Sequence, residues 1–158
     1  MEAVGSGGNV RAVVQRVSEG KVAVAGATVG AIGRGLCVLL SVGQGDGEAD
    51  LRYIVEKIAG LRIFADADGK MNLDVTQTGG AVLLVSQFTL HGDVRRGKRP
   101  GFTAAMAPDA ARVWVDRCAV ALRTLHLEVA EGVFGADMQV TLTNDGPVTI
   151  LLDSQKTF

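Results

Sequence analysis

Residues 81–90 read AVLLVSQFTL, a run of five apolar residues that passes at Ser86 into polar and aromatic side chains. A short apolar run rich in valine and leucine is typical of a strand that is buried on both faces. The polar residues come where such a strand would leave the core, and binding or catalytic groups are often found at such ends. We therefore predict a buried strand over 81–85 and a functional site directly after it.

Further β-branched runs separated by turn signals lie on both sides of this stretch. They start at Val10, recur up to the run LCVLLSV at 36–42, and close the chain over 127–130, 138–142 and 148–152. Gly146-Pro147 is predicted as a turn before the last strand. Two segments have helical spacing instead, 48–61 and a second one that starts at Pro108. The predicted apolar face of the second helix consists of Trp114, Cys118, Ala121, Leu122 and Leu125.

Strands and helices do not alternate in this order, so a βαβ architecture is not expected. The pattern predicts an α+β fold with a mostly antiparallel, barrel-like sheet and two amphipathic helices. The chain of 158 residues fits one domain. We assign this domain to 10–153, preceded by a disordered extension over 1–9 (MEAVGSGGN) and followed by a tail over 154–158.

Composition excludes several classes of function. Hydrophobic residues make up 47% of the chain, but no apolar run approaches the roughly 18 residues that a membrane span needs, and a cytoplasmic location is expected. The net charge of −1 argues against extensive duplex binding. Cys37 and Cys118 lie within apolar patterns and are predicted to be buried and not to form a structural disulfide.

Cofactor and metal motifs are weak. The glycines at 30–35 and 43–47 do not have the spacing of a dinucleotide-binding loop. The sequence DADG at 66–69 lacks the glycine and glutamate positions of a calcium loop, and two histidines with two scattered cysteines do not form a zinc set. We predict no cofactor and no metal.

Two further interpretations of the 81–91 region stay open. Ser86 or Thr89 could be a nucleophile activated by His91 and oriented by Asp93, although the glycine at 92 indicates that the chain has already turned away. Alternatively the segment is only a strand end, with Phe88 in the core and the hydroxyl groups bonded to turn amides.

Four cations follow within five residues, namely Arg95, Arg96, Lys98 and Arg99. Such a cluster creates a local field suited to a phosphate group even on an acidic protein. A solvated surface loop would have the same composition, and the run alone does not separate the two.

Taken together with NDGPVT at 144–149, these stretches resemble the D-aminoacyl-tRNA deacylase family, also called D-tyrosyl-tRNA deacylase. The resemblance extends from about Val10 to Leu152. Its matching stretches are RAVVQRVSEGKVAV, GLCVLLSVG, LRIFADADGKMNLDV, GGAVLLVSQFTL, RGKRPGF and FGADMQVTLTNDGPVT. SQFTL combined with NDGPVT at this separation is a highly specific pair.

The resemblance implies a hydrolase that cleaves the ester between a D-amino acid, or glycine, and the 3′-terminal adenosine of tRNA, as chiral proofreading for translation. It implies that the active-site segment is Ser86, Gln87, Phe88 and Thr89, here called the SQFT segment. It also implies a homodimer in which Gly146 and Pro147, here called the Gly-Pro segment, reach the partner's pocket in the cis form. There the segment would exclude an L side chain.

Within this resemblance we expect backbone N–H groups around Phe88 and Thr89 to stabilise the oxyanion of the ester. Phe134, Met138 and the loop Arg95 to Arg99 are expected to contact the terminal adenosine and a phosphate. Two other functions stay open: an RNA-binding module without catalysis, which would use the basic loop, and a serine or threonine esterase that acts on small esters.

Overall fold

The computed structural model describes residues 8–158, and the disorder predicted for residues 1–7 lies outside this range. Along the described chain the elements are β1 (Arg11–Val24), β2 (Ala27–Ile32), β3 (Gly35–Ser41), α1 (Glu48–Gly60), β4 (Phe64–Ala65), β5 (Met71–Leu73), β6 (Ala81–Ser86), a 3₁₀ turn (Phe88–His91), α2 (Pro108–Thr124), β7 (Glu128–Glu131) and β8 (Met138–Asp153).

The main sheet has the strand order β2-β1-β3-β6-β7, and β8 pairs with β1. The pairs of β1 with β2, β3 and β8 are antiparallel, whereas β3 with β6 and β6 with β7 are parallel. The α+β class, the mostly antiparallel sheet and the two helices are therefore confirmed. The two parallel pairs were not predicted, because strand direction depends on pairing between segments that are distant in the sequence.

The sheet curls until its ends meet. A Cβ atom placed on Gly30 in β2 would lie 2.5 Å from the carbonyl oxygen of Glu131 in β7, although these strands stand at opposite ends of the strand order. Only glycine permits this close approach of two backbones. The strand order thus closes into a barrel-like form, as predicted.

Strands β3 and β6 are buried on both faces, which explains their continuous apolar sequences. Val82 and Leu84 of β6 pack toward the helices, whereas Leu83 and Val85 face a second cluster inside the curled sheet. Cys37 and Cys118 are both buried and free, as predicted.

Both helices lie in the segments for which the spacing of apolar residues predicted them. Helix α1 buries Leu51, Ile54, Val55 and Ile58, which lie at the helical spacing predicted over 48–61. In α2 the predictions for Cys118 and Leu122 are confirmed, but Leu125 is 40% exposed. The helix ends at Thr124, so Leu125 lies beyond the last turn that packs against the sheet. No helix in residues 8–158 has the length and apolar character that crossing a membrane requires.

The predicted turn between two closing strands is wrong. Strand β8 continues from Met138 to Asp153, and Gly146-Pro147 lies in a bulge within it. Gln15 pairs with Thr149 while Val17 pairs with Asn144, so two steps along β1 oppose five along β8. Pairing with β1 resumes on both sides because β1 itself runs uninterrupted, and the extra residues of β8 loop out.

Both ends of the described chain pack against the fold. Gly8 is buried, and the side-chain amide of Asn9 donates a hydrogen bond to Asp153 Oδ2 at 2.9 Å. Ser154 Oγ accepts a hydrogen bond from the N–H of Val10 at 2.8 Å, and Gln155 Nε2 donates to the carbonyl of Gly8 at 2.7 Å. Gly8 and Asn9 therefore belong to the folded part and not to the predicted extension.

The loop between β3 and α1 contains a buried carboxyl group, Asp46. Its Oδ2 accepts a hydrogen bond from the N–H of Gly43 at 2.5 Å, while Oδ1 is buried without a partner in residues 8–158. Burial raises the pKa of Asp46 from 3.8 to about 7, with smaller contributions from Asp50 and Asp153. Asp46 is therefore protonated in the folded protein at a pH where the unfolded chain has lost this proton.

We expect the free energy of unfolding to fall as pH rises from about 4 to 7, relative to an Asp46→Asn variant. The folded state holds the extra proton in this window, so raising the pH favours the unfolded state by up to about 1.4 kcal/mol per pH unit. Urea unfolding of both proteins at pH 5, 6, 7 and 8 measures the difference. Asp116→Asn, which removes an exposed carboxylate on α2, is the control. Identical pH dependence of wild type and Asp46→Asn would contradict the assignment.

Candidate functional site

A cavity of about 540 Å³ opens where β3 and β6 end. This volume lies in the range typical of sites for small organic groups. Its walls are the ends of the two strands, the loop before α2, the first turns of α2 and the segment that leads into β8. Residues that line it include Leu40, Ser41, Val85, Ser86, Gln87, Phe88, Phe102, Met106, Ala111, Phe134 and Met138.

The SQFT segment leaves the sheet at the rim of this cavity. The N–H of Gln87 still donates to the carbonyl of Leu40 at 2.7 Å, and the 3₁₀ turn begins at the next residue. Within residues 8–158 the N–H groups of Phe88 and Thr89 have no acceptor. The first N–H groups of any helical turn lack partners inside the turn. Two donors are therefore free at the end of β6.

Phe88 is not a core residue, so the strand-end alternative with Phe88 buried is wrong. Its side chain is 58% exposed and meets Phe102 edge to face, with ring centroids 5.0 Å apart. Ser86, Gln87 and Phe88 line the cavity, whereas Thr89 is exposed beside it. The hydroxyl oxygen of Thr89 accepts a hydrogen bond from the side-chain amide of Gln87.

The two ring nitrogens of His91 bond Ser41 and Asn9, and neither bonds a side chain of the SQFT segment. The imidazole is 2% exposed, its Nε2 donates to the carbonyl of Asn9 at 2.7 Å, and its Nδ1 lies 2.5 Å from Ser41 Oγ. Asp93 pairs with Arg95 at 2.7 Å. His91 and Asp93 are therefore not arranged as the base and orienting acid of a triad with Ser86 or Thr89.

Ser41 is a residue of this site that sequence reasoning missed. It ends β3 beside the end of β6, since Leu40 pairs with Ser86, and it lines the cavity while being 2% exposed. The signal was present in the sequence, because a serine follows the apolar run LCVLL as one follows AVLLV.

The residues predicted to contact adenosine are divided between two places. Phe134 and Met138 line the cavity, and the guanidinium of Arg112 lies 5.3 Å from the centre of the Phe134 ring. The four cations from Arg95 to Arg99 are exposed and do not line it. Their loop is closed by backbone hydrogen bonds between Asp93 and Gly101 at 2.7 and 2.9 Å.

The Gly-Pro segment lies exposed in the bulge of β8, and its peptide bond is cis. Arg16 holds this bulge, because its Nε–H donates to the carbonyl of Asp145 at 2.9 Å and its Nη1–H donates to the carbonyl of Ile63 at 2.7 Å. Gly146 has φ +133°, and a Cβ there would lie 2.9 Å from Arg16 Nη2. Neither Gly146 nor Pro147 lines the cavity of its own chain.

Chemically, the site combines an apolar cavity with a few polar groups at one edge. The aromatic and methionine walls suit a flat ring, and two free N–H donors suit an oxygen that becomes negatively charged. Among residues 8–158, no three histidine, cysteine, aspartate or glutamate side chains lie together as metal ligands would.

Comparison with known proteins finds matches along most of the chain. The sequence model of the D-Tyr-tRNA(Tyr) deacylase family matches residues 13–153. A D-aminoacyl-tRNA deacylase of Anaeromyxobacter dehalogenans (strain 2CP-C) is 59% identical over 149 residues, which is 94% of this chain and 100% of the relative. A D-aminoacyl-tRNA deacylase of Thermotoga petrophila (strain ATCC BAA-488 / DSM 13995 / JCM 10881 / RKU-1) is 58% identical with the same coverage.

Two solved structures have the same fold. One is described as a c-Myc DNA Unwinding Element Binding Protein, with a TM-score of 0.85, 42% identity, and coverage of 90% of this chain and 97% of the other. The second is described as a probable eukaryotic D-amino acid tRNA deacylase, with a TM-score of 0.79, 19% identity, and coverage of 92% and 99%.

Proposed function

The chain belongs to the D-Tyr-tRNA(Tyr) deacylase family and is a hydrolase with D-aminoacyl-tRNA deacylase function, and we propose that it cleaves the ester joining a D-amino acid or glycine to the 3′-terminal adenosine of tRNA. The observation that carries this proposal is the pair of free N–H groups at Phe88 and Thr89, which stand at the rim of an apolar cavity. A cytoplasmic role in chiral proofreading follows from such a substrate.

In the proposed complex the terminal adenosine occupies the apolar part of the cavity. Phe134 offers an aromatic face on which a base can stack, and Met138 offers a polarisable wall. The ester then lies toward the end of β6, where its carbonyl oxygen can accept from the N–H groups of Phe88 and Thr89. Ser86 and Gln87 are placed to orient the ribose.

The proposed reaction is attack by water on the ester carbonyl. Negative charge develops on that oxygen, and fixed N–H donors stabilise it without reorganising during the reaction. An aminoacyl ester is already activated, and the adjacent ribose 2′-hydroxyl can assist the water, so positioning supplies much of the acceleration. Thr89 acts without forming a covalent bond, because the His91 nitrogens bond Ser41 and Asn9 instead.

This geometry disfavours the serine or threonine esterase. A nucleophilic hydroxyl needs a base within hydrogen-bond reach. The Thr89 hydroxyl contacts the amide of Gln87, which is not a base. Labelling of Ser86 or Thr89 by an acylating probe during turnover would support the esterase and contradict attack by water.

We propose that the Gly-Pro segment selects the enantiomer from across a homodimer interface. It is exposed, anchored by Arg16 and absent from the walls of its own cavity, which supports action on the cavity of a second copy. A backbone held in this way can fill the space that an L side chain would need. Glycine has no side chain, so this segment would not exclude glycyl-tRNA.

We propose that the basic loop binds a tRNA phosphate near the acceptor end. Arg95 is paired with Asp93, which leaves Arg96, Lys98 and Arg99 as exposed cations without a carboxylate partner in residues 8–158. They do not line the cavity, so we assign them to the RNA strand that leads to the terminal adenosine and not to the adenosine itself.

Replacing Arg96, Lys98 and Arg99 together by glutamine is expected to raise KM for D-tyrosyl-tRNA at low salt and to leave kcat unchanged. Each lost phosphate contact lowers the slope of log affinity against log salt by about 0.7. Steady-state kinetics from 50 to 300 mM salt measure this slope, and Arg52→Gln on the exposed side of α1 is the control. An unchanged slope would exclude the loop from tRNA binding. Equally strong binding of uncharged RNA without any ester cleavage would instead support the RNA-binding module.

A further inference from the structure

The buried contacts of His91 lead to the SQFT segment through Ser41. The Ser41 hydroxyl oxygen lies 2.5 Å from His91 Nδ1 and 3.3 Å from the carbonyl oxygen of Phe88. His91 and Ser41 are each 2% exposed, so water does not substitute for either partner. One hydroxyl therefore stands between the imidazole and the backbone of the candidate active-site residue.

This hydroxyl has one proton for two neighbours. A carbonyl oxygen only accepts, so the contact of His91 Nε2 with the Asn9 carbonyl requires a proton on Nε2. In the neutral imidazole Nδ1 then has no proton and accepts the one from Ser41, which leaves Phe88 without this donor. In the imidazolium form Nδ1 donates to Ser41, and the Ser41 proton is free to bond the carbonyl of Phe88.

The Phe88 carbonyl and the Thr89 N–H belong to the same peptide unit and point in opposite directions. A hydrogen bond to the carbonyl fixes the plane of this unit and polarises its N–H, which becomes a stronger donor. The Ser41 proton thus acts on the same N–H that faces the substrate ester in the proposed function.

We propose that His91 is a positioning residue of the deacylase, which controls through Ser41 the orientation and donor strength of the Phe88–Thr89 peptide unit. This inference rests on the proposed function for its effect on catalysis, but not for the coupling itself. His91 does not touch substrate in this scheme, and it acts only by accepting a hydrogen bond from Ser41 or donating one to it.

The charged neighbours of His91 determine the pH at which its imidazole becomes protonated. Burial lowers the pKa of His91, and the positive charge of Arg11 on β1 lowers it further, while the bond to Asn9 and the carboxylate of Asp153 on β8 act in the opposite direction. In the loop that follows β3, Asp46 bonds the N–H of Gly43, whose backbone packs against the imidazole. The neutral form therefore prevails above pH 6.5, and Ser41 turns to Phe88 on acidification.

Nuclear magnetic resonance tests the coupling without any substrate. In the wild type we expect the Phe88 carbonyl ¹³C and Thr89 amide ¹⁵N resonances to titrate together with the His91 ring, with a midpoint below about pH 6.5. In Ser41→Ala the ring should still titrate while the two backbone resonances no longer follow it. A backbone response that survives in Ser41→Ala would overturn the proposal.

Kinetics then test the consequence for catalysis. The ratio of kcat for wild type to kcat for Ser41→Ala should rise about tenfold as pH falls from 7.5 to 5.5, a fraction of the 10²- to 10³-fold effect of losing an oxyanion donor. KM should stay constant. A constant ratio together with an intact resonance coupling would overturn the catalytic role alone, and absence of D-aminoacyl-tRNA hydrolysis in the wild type would instead refute the proposed function.

Two variants of His91 separate its two contacts. His91→Asn keeps an amide near the position of Nδ1 and hence near Ser41, whereas His91→Gln keeps one near the position of Nε2 and hence near Asn9. We expect His91→Asn to retain most of kcat without the titration, and His91→Gln to lose about tenfold at pH 5.5. If His91→Gln retained the wild-type kcat at pH 5.5 and His91→Asn did not, His91 would only anchor Asn9, and the proposal would be overturned.

Discussion

Replacing Phe88 by proline is expected to lower kcat for D-tyrosyl-tRNA by about 10²- to 10³-fold relative to Phe88→Ala, because proline removes one of the two free N–H donors. Both variants lose the aromatic ring and its contact with Phe102, so their ratio isolates the N–H group.

The local backbone is compatible with proline. Phe88 is the first residue of the 3₁₀ turn, its N–H has no acceptor within residues 8–158, and proline is favoured at the first position of a helical turn. The preceding residue, Gln87, has φ −147° and ψ 73°, which lies outside the helical region that proline disfavours before it. We therefore expect both variants to fold with similar stability.

Single-turnover hydrolysis of D-tyrosyl-tRNA under saturating enzyme measures this effect. Circular dichroism and thermal unfolding of both variants verify that the fold is retained. If Phe88→Pro and Phe88→Ala turned over at the same rate, the N–H of Phe88 would have no part in stabilising the oxyanion. The role of the Thr89 N–H would then be tested separately by the Ser41→Ala kinetics described above.

The second large effect concerns chirality. The wild type is expected to hydrolyse D-tyrosyl-tRNA and glycyl-tRNA while discriminating against L-tyrosyl-tRNA by more than about 200-fold in kcat/KM. A small size difference in an apolar pocket supplies a discrimination of about 200-fold at most. Steric exclusion by a fixed backbone can supply a larger ratio. Equal rates on the two enantiomers would refute selection by the Gly-Pro segment.

Displacing the segment should reduce this discrimination. In Gly146→Ala the new Cβ would lie 2.8 Å from Val148 Cγ2 and 2.9 Å from Arg16 Nη2, so the bulge must shift. Gly26→Ala is the matched control, because Gly26 also has a positive φ, +81°, but nothing lies within 4 Å of its added Cβ, in the turn between β1 and β2. We expect L-tyrosyl-tRNA hydrolysis to increase in the first variant only.

Subunit mixing tests whether the segment acts across the interface. Co-expressed Phe88→Pro and Gly146→Ala chains with different tags yield a mixed dimer. In the arrangement proposed above, its intact SQFT segment belongs to the Gly146→Ala chain and receives a wild-type Gly-Pro segment from the other. Such a dimer should regain discrimination against L-tyrosyl-tRNA. Continued hydrolysis of the L substrate by the purified mixed dimer, or a monomeric enzyme, would contradict action in trans.

Local pattern was sufficient for most of the elements and for the strand end at which the candidate site lies. The apolar run at 81–85, the helical spacing at 48–61 and the polar residues from Ser86 each depend on residues within one or two turns of each other, and the structure places the corresponding elements there. The position of the SQFT segment at the surface could be anticipated, because a strand that leaves the core must expose residues that follow it.

Tertiary structure alone decided what depends on distant pairing. The sequence does not show that β6 runs parallel to β3, which brings Ser41 beside a histidine 50 residues away. Nor does it show that β8 pairs with β1 on both sides of Gly146, so that an expected turn becomes an exposed bulge. The physical reason is that turn and strand propensities act over a few residues. Register and the burial of His91, by contrast, follow from which distant strands share hydrogen bonds.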